Sequence, residues 1–80
     1  MVGERMTFAN LRQGMRARIV ATTGQTANST RLQEMGLTVG TIFKVVKVAP
    51  FGDPVEIDLR GYRLCLRKQE TGDFEVEPVD

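Results

Sequence analysis

The chain contains no histidine and no tryptophan, and only one cysteine, Cys65, among its 80 residues. Without imidazole there is no His-based general base, no Ser-His-Asp triad and no His-ligated zinc within one chain. A single thiol excludes an internal disulfide and a Cys-rich zinc or iron–sulfur site. No glycine cluster precedes a Lys-Ser or Lys-Thr pair, so the chain lacks a phosphate-binding loop and is not itself a GTPase. No apolar run approaches the roughly 20 residues that span a bilayer, and residues 1–15 lack the continuous apolar segment of a secretion signal. The expectation is therefore a non-enzymatic, cytoplasmic protein with no direct membrane insertion. A free thiol fits the same reducing compartment.

Charge is nearly balanced, with 11 Lys and Arg against 10 Asp and Glu, a net +1. That is too little for a domain holding polyanions by bulk electrostatics, so nucleic acid is not an expected partner. At this length one core is all the chain can build: folding removes roughly 60% of the unfolded surface from water. Residues 1–80 are read as one domain.

Met6, Phe8, Leu11 and Met15 suit a turn or single helical turn ending near Gly14. From Arg16 to Thr22, Ala17, Ile19 and Ala21 alternate with more polar positions, as in a half-buried strand. A polar turn at 24–30 leads to a short helix, for which Thr30 and Gln33 have the spacing of a capping box. Gly36 then fits a left-handed helix ending, with Leu37 folding back onto the helix. Residues 41–49, TIFKVVKVA, form a strand whose alternation breaks at Val45 and Val46, as at a bulge. Pro50 and Pro54 bracket a loop, PFGDP.

Residues 55–60 and 62–67 read as a hairpin around Gly61. Keeping Val55, Ile57 and Leu59 on one face with Leu64 and Leu66 requires odd-numbered residues to pair with even-numbered ones. A loop of Gly61 and Tyr62 satisfies this by placing Leu59 opposite Leu64, Ile57 opposite Leu66 and Glu56 opposite Arg67. Residues 68–73 make a turn before a last strand at Phe74, Val76 and Val79, interrupted by Pro78. The expected core contains Ile19, Val45, Ile57, Leu59, Leu64 and Leu66. Four or five short strands with one helix after the first imply a small all-β protein, an SH3-like, partly closed barrel. An OB-fold would put its helix between the third and fourth strands.

Asp53, Glu56 and Asp58 are close in sequence but read as an ordinary charged face, and no metal site or cofactor is assigned. Arg60, Arg63, Arg67 and Lys68 give the hairpin a local positive excess, suited to guarding a sheet edge or meeting an acidic protein surface. Phe51, at a loop tip, either tucks over the barrel mouth or anchors a partner. Leu32, Met35 and Leu37 suit a core, with Leu37 placed to serve both core and docking.

Three segments, RLQEMGLTVG at 31–40, APFGDPVEI at 49–57 and LRGYRLCLRKQE at 59–70, together resemble the FeoA family. The resemblance implies an SH3-like barrel with a helix inserted after the first strand. It also implies a cytosolic accessory of bacterial ferrous-iron transport, docking on the cytosolic region of a FeoB-type membrane transporter and modulating it. Ferrous iron enters only through the pathway. The same domain type occurs at the end of iron-dependent repressors, but nothing here resembles their DNA-binding helices. The family supplies no catalytic residues, so the expected partner-binding set is Leu37, Phe51, Arg60, Tyr62 and Arg63. The alternative is an SH3-like nucleic-acid- or ribosome-associated module, whose binding would fall steeply with salt. A monomer and a weak homo-oligomer both remain open.

Overall fold

The computed structural model describes residues 6–22 and 26–79. After a 3-10 turn at Phe8–Asn10 come strand β1 (Arg16–Thr22), helix α1 (Ala27–Glu34) and strand β2 (Ile42–Val48). Strands β3 (Val55–Leu59) and β4 (Tyr62–Leu66), helix α2 (Lys68–Thr71) and strand β5 (Phe74–Val79) complete the chain. One antiparallel sheet carries the strands in the order β4-β3-β2-β1-β5. The helix falls between the first and second strands, the SH3-like order rather than that of an OB-fold.

Alternation drives the burial. Ala17, Ile19, Phe43, Val45, Val55, Ile57, Leu59, Leu66, Phe74 and Val76 point inward, where Phe8, Leu11, Leu32 and Leu37 join them. Phe8 stacks on Phe43 with ring centroids 5.4 Å apart and meets Phe74 edge-on at 6.2 Å. Offset and edge-on pairs of this kind add to the stability that area burial alone provides. The 3-10 turn therefore acts as a plug that carries one aromatic ring into the barrel. In β2, the register against β3 slips between Val45 and Lys47, which places the expected bulge at Val46. A second irregularity lies between Ile19 and Ala21 in the β1–β5 ladder.

The helix starts four residues earlier than the Thr30 capping box implies. Thr26 is the cap: its Oγ1 accepts from the Ser29 amide at 3.0 Å and donates to Asp73 Oδ2 at 2.9 Å. Of the expected turn at 24–30, residues 24 and 25 lie outside the described residues. The helix ends as expected. Gly36 takes φ +110°, its amide donates to the Gln33 carbonyl at 3.0 Å, and the Leu37 amide donates to the Leu32 carbonyl at 3.0 Å. These are the two bonds of a Schellman ending.

The hairpin differs from expectation by two residues in register. Leu59 pairs with Tyr62, Ile57 with Leu64 and Val55 with Leu66, so the loop is Arg60-Gly61. The odd-with-even rule holds, but it admits both registers, and turn chemistry chooses between them. Arg60 at φ +52° and Gly61 at φ +92° give both central residues the left-handed backbone of a type I′ turn, which matches strand twist. Asp58 Oδ1 braces the turn by accepting from the Gly61 amide at 3.0 Å. The slip leaves Glu56 opposite Cys65 rather than Arg67.

Three smaller differences concern β4 and the segments after it. Leu64 is only partly buried, because β4 is an edge strand with a neighbour on one side. Residues 68–71 form the short helix α2 rather than a plain turn. Strand β5 runs through Pro78, which an edge strand tolerates because its missing amide costs no ladder bond there. No helix among the described residues is long and apolar enough to cross a membrane.

Candidate functional site

The residues expected to form a partner surface separate into three places. Leu37 is withdrawn from that surface: it is fully buried, drawn inward by the Schellman ending that packs it with Leu32 in the core. Arg60, Tyr62 and Arg63 stand together at the tip of the β3–β4 hairpin, where Tyr62 is 67% exposed. Phe51 lies in the loop at the opposite end of β3, a strand of five residues and thus roughly 17 Å long. The Phe51 loop and the hairpin tip are two sites, not one.

Phe51 does not tuck over the barrel. It is 94% exposed, whereas the other three phenylalanines, Phe8, Phe43 and Phe74, are all buried. The loop beneath it is fastened. The Gly52 amide donates to the Ala49 carbonyl at 2.8 Å, with Gly52 at φ +83°, and the Ala49 amide donates to the Pro54 carbonyl at 3.1 Å. Asp53 Oδ1 accepts from the Lys68 amide at 3.0 Å, joining the loop to α2. Beside it lies a shallow cleft of about 190 Å³ lined by Lys47, Ala49, Pro54, Glu56 and Cys65.

At the hairpin tip the charges are unequal in availability. Arg63 is committed to Glu56 at 3.1 Å and to Asp58 at 3.6 Å on the outer face of the sheet. Glu77 holds Arg18 at 3.2 Å, and Glu70 holds Arg31 at 2.6 Å. Arg60, Arg67 and Lys68 form no side-chain ion pair among the described residues.

Met35, expected in the core with Leu32 and Leu37, is instead exposed as the C-cap residue of α1, and two apolar side chains that the sequence did not single out, Val39 and Ile42, are exposed as well. Met35 and Ile42 belong to the hairpin-tip end. Gly36 approaches Leu59, the partner of Tyr62, to within the reach of a Cβ contact of 3.4 Å, which brings the helix end there. Lys44 pairs with Asp58, so Ile42, two residues earlier, comes level with Arg60. The signal for Ile42 was present in β2: with Phe43 and Val45 inward, alternation places Ile42 and Lys44 outward. The three-residue spacing from Leu32 pointed Met35 inward, but the helix ends at Glu34 and its C-cap residue is left outside.

No group of three or more His, Cys, Asp or Glu side chains suited to a metal ion occurs among the described residues. All buried side-chain polar atoms among those residues have hydrogen-bond partners. What the fold presents is therefore exposed aromatic and cationic groups on a rigid frame. It is a small SH3-like barrel module with a helix inserted after its first strand.

Comparison with known proteins defines it further. Residues 6–78 match the FeoA domain, and the chain belongs to that family of ferrous-iron transport proteins. It is 35% identical, over 92% of its length, to an Fe(2+) transport protein A/Fe(2+) transporter FeoB fusion protein of Porphyromonas gingivalis. It spans 9% of that relative's length. The solution structure of FeoA from Chlorobium tepidum is 32% identical, with a TM-score of 0.80 over 94% of this chain and 71% of that one. Zinc-complexed FeoA of Stenotrophomonas maltophilia, described as a prokaryotic SH3 domain protein, is 25% identical with a TM-score of 0.76, covering 90% of this chain and 89% of its own.

Proposed function

We propose that this chain is a non-catalytic, cytoplasmic accessory of ferrous-iron transport that docks on the cytosolic region of a FeoB-type transporter and modulates it. The observation that carries the reading is the P. gingivalis fusion, in which a domain similar to nearly the whole of this chain shares one polypeptide with FeoB. Fusion holds two domains at high effective concentration, an arrangement useful when they act on each other. The exposed Phe51 and Tyr62, with Arg60 close to Tyr62 and in no ion pair among the described residues, belong to the side-chain types that dominate protein-binding hot spots.

A pull-down from cytosol and solubilised membrane, with this chain as bait, tests the reading. Enrichment of the FeoB-type transporter supports it. Retention of RNA in its place, lost steeply as salt rises, would replace it with the nucleic-acid reading suggested by Arg60, Arg67 and Lys68.

A further inference from the structure

Strand β4 ends the sheet, and its only ladder among the described residues is the one with β3. In a two-residue hairpin the closing pair is hydrogen-bonded on both sides, and bonded pairs then alternate along the ladder. Leu59–Tyr62, Ile57–Leu64 and Val55–Leu66 are thus the bonded pairs, and the backbone groups of Arg63 and Cys65 face away from β3. No backbone group of the described residues bonds to that outer edge.

The side chains flanking this edge sort by face. Tyr62 and the partly buried Leu64 lie on the inner face, beside apolar surface that one more strand would cover. The outer face carries Arg63, already satisfied by Glu56 and Asp58, and Arg67; Arg60 and Lys68 flank the two ends of the strand. Three of these four cations lack an acidic partner among the described residues.

We propose that the outer edge of β4 receives an extended acidic segment of the partner transporter as an added strand, apolar side chains against Tyr62 and Leu64 and carboxylates toward Arg60, Arg67 and Lys68. Main-chain bonds to Arg63 and Cys65 supply affinity, and the alternating side chains supply selectivity, as in other cases of strand addition. A second copy of this chain is a poor occupant. It would bring the same uncompensated cations opposite themselves, and like charges across a ladder are destabilising. The identity of the partner rests on the transporter reading above; the edge itself does not.

The test follows amide exchange by NMR in the full chain. A capped peptide alternating Glu and Val is the first probe, its Lys–Val counterpart the second, and the detergent-solubilised transporter the third, read by mass spectrometry. The Arg63 and Cys65 amides are expected to exchange fast in the free chain and to slow with the Glu–Val peptide and with the transporter, but not with the Lys–Val peptide. Cys65→Pro, which removes the outward-facing amide together with the exposed thiol, is expected to weaken peptide binding about tenfold, the scale of one hydrogen bond. Should that variant misfold, exchange in the unaltered chain still decides. Equal slowing by both peptides, or none by either, overturns the edge site. A transporter that binds while these amides exchange freely overturns it too and leaves the docking reading standing. Peptide capture at β4 by a chain that ignores the transporter overturns the docking reading and retains the edge. Slowing that grows with the chain's own concentration would assign the edge to self-association and overturn the acidic partner.

Discussion

The Leu37 amide donates to the Leu32 carbonyl at 3.0 Å, and both leucine side chains are buried in one core. That bond exists because Gly36 turns the backbone to φ +110°, with Leu59 Cδ2 only 3.4 Å from where a Cβ would stand. Gly36→Val should therefore lower unfolding free energy by about 1–3 kcal/mol, through left-handed strain and crowding of Leu59. Leu37→Ala should cost about 2–5 kcal/mol, as expected of a buried leucine. Urea titration reads both. A loss below about 0.5 kcal/mol at Leu37 would contradict its place in the core.

Thr26, not Thr30, caps the helix, and it also reaches Asp73. Thr26→Ala should cost about 1 kcal/mol, typical of a lost N-cap. Thr30→Ala, in the exposed first turns of α1, should stay within about 0.5 kcal/mol of the unaltered chain. Reversal of that order in thermal melts would restore the later helix start.

The hairpin predicts changes of opposite sign at adjacent residues. Arg60 holds φ +52°, a conformation Asn adopts more readily, so Arg60→Asn should raise stability by about 0.5 kcal/mol. Gly61→Val, at φ +92°, should lower it by about 1–2 kcal/mol. Chemical denaturation of the pair distinguishes this turn from a loop of Gly61 and Tyr62, in which Arg60 would be an ordinary strand residue.

Phe51→Ala removes a side chain that is 94% exposed, so the melting temperature should hardly move. Binding to the transporter should weaken by about 1 kcal/mol or more, the scale that marks a hot spot. Unchanged affinity in a calorimetric titration would leave this loop outside the interface.

Ferrous iron titrated anaerobically into the purified chain should bind with a dissociation constant of roughly 10⁻⁴ M or weaker, the range of loosely held carboxylate sites. The reason is the donor set, with no imidazole anywhere and no cluster of three suitable ligands among the described residues. Saturation of one site at micromolar iron would refute this.

Much of the fold was legible because alternation is a strong constraint on a small sheet. It located β1, the bulge in β2 and the inward faces of β3 and β4, and the Gly36-Leu37 pair announced the helix ending. The hairpin register was legible only in parity, since a shift of two residues preserves every face. Choosing between the registers required accepting Arg60, a non-glycine residue, in a left-handed conformation. Leu64 looked like core because alternation assigns a face and says nothing of whether a further strand covers it. The candidate surface was less legible still. Residue chemistry nominated Phe51, Arg60, Tyr62 and Arg63, but their separation to opposite ends of β3, and the commitment of Arg63 to Glu56 and Asp58, depend on three-dimensional neighbours.

The bond from the Lys68 amide to Asp53 Oδ1 has a kinetic consequence. Together with the Gly52–Ala49 and Ala49–Pro54 bonds it holds the base of the Phe51 loop at both flanks, so the ring is displayed before any partner arrives. A loop already in its bound shape loses little conformational freedom on association. Asp53→Ala should then leave Phe51 in place chemically yet slow productive encounter, because only a fraction of loop conformers would be ready to engage. The carboxylate of Asp53 would thus influence the association rate through its bond to the Lys68 amide, by keeping the Phe51 loop in one shape.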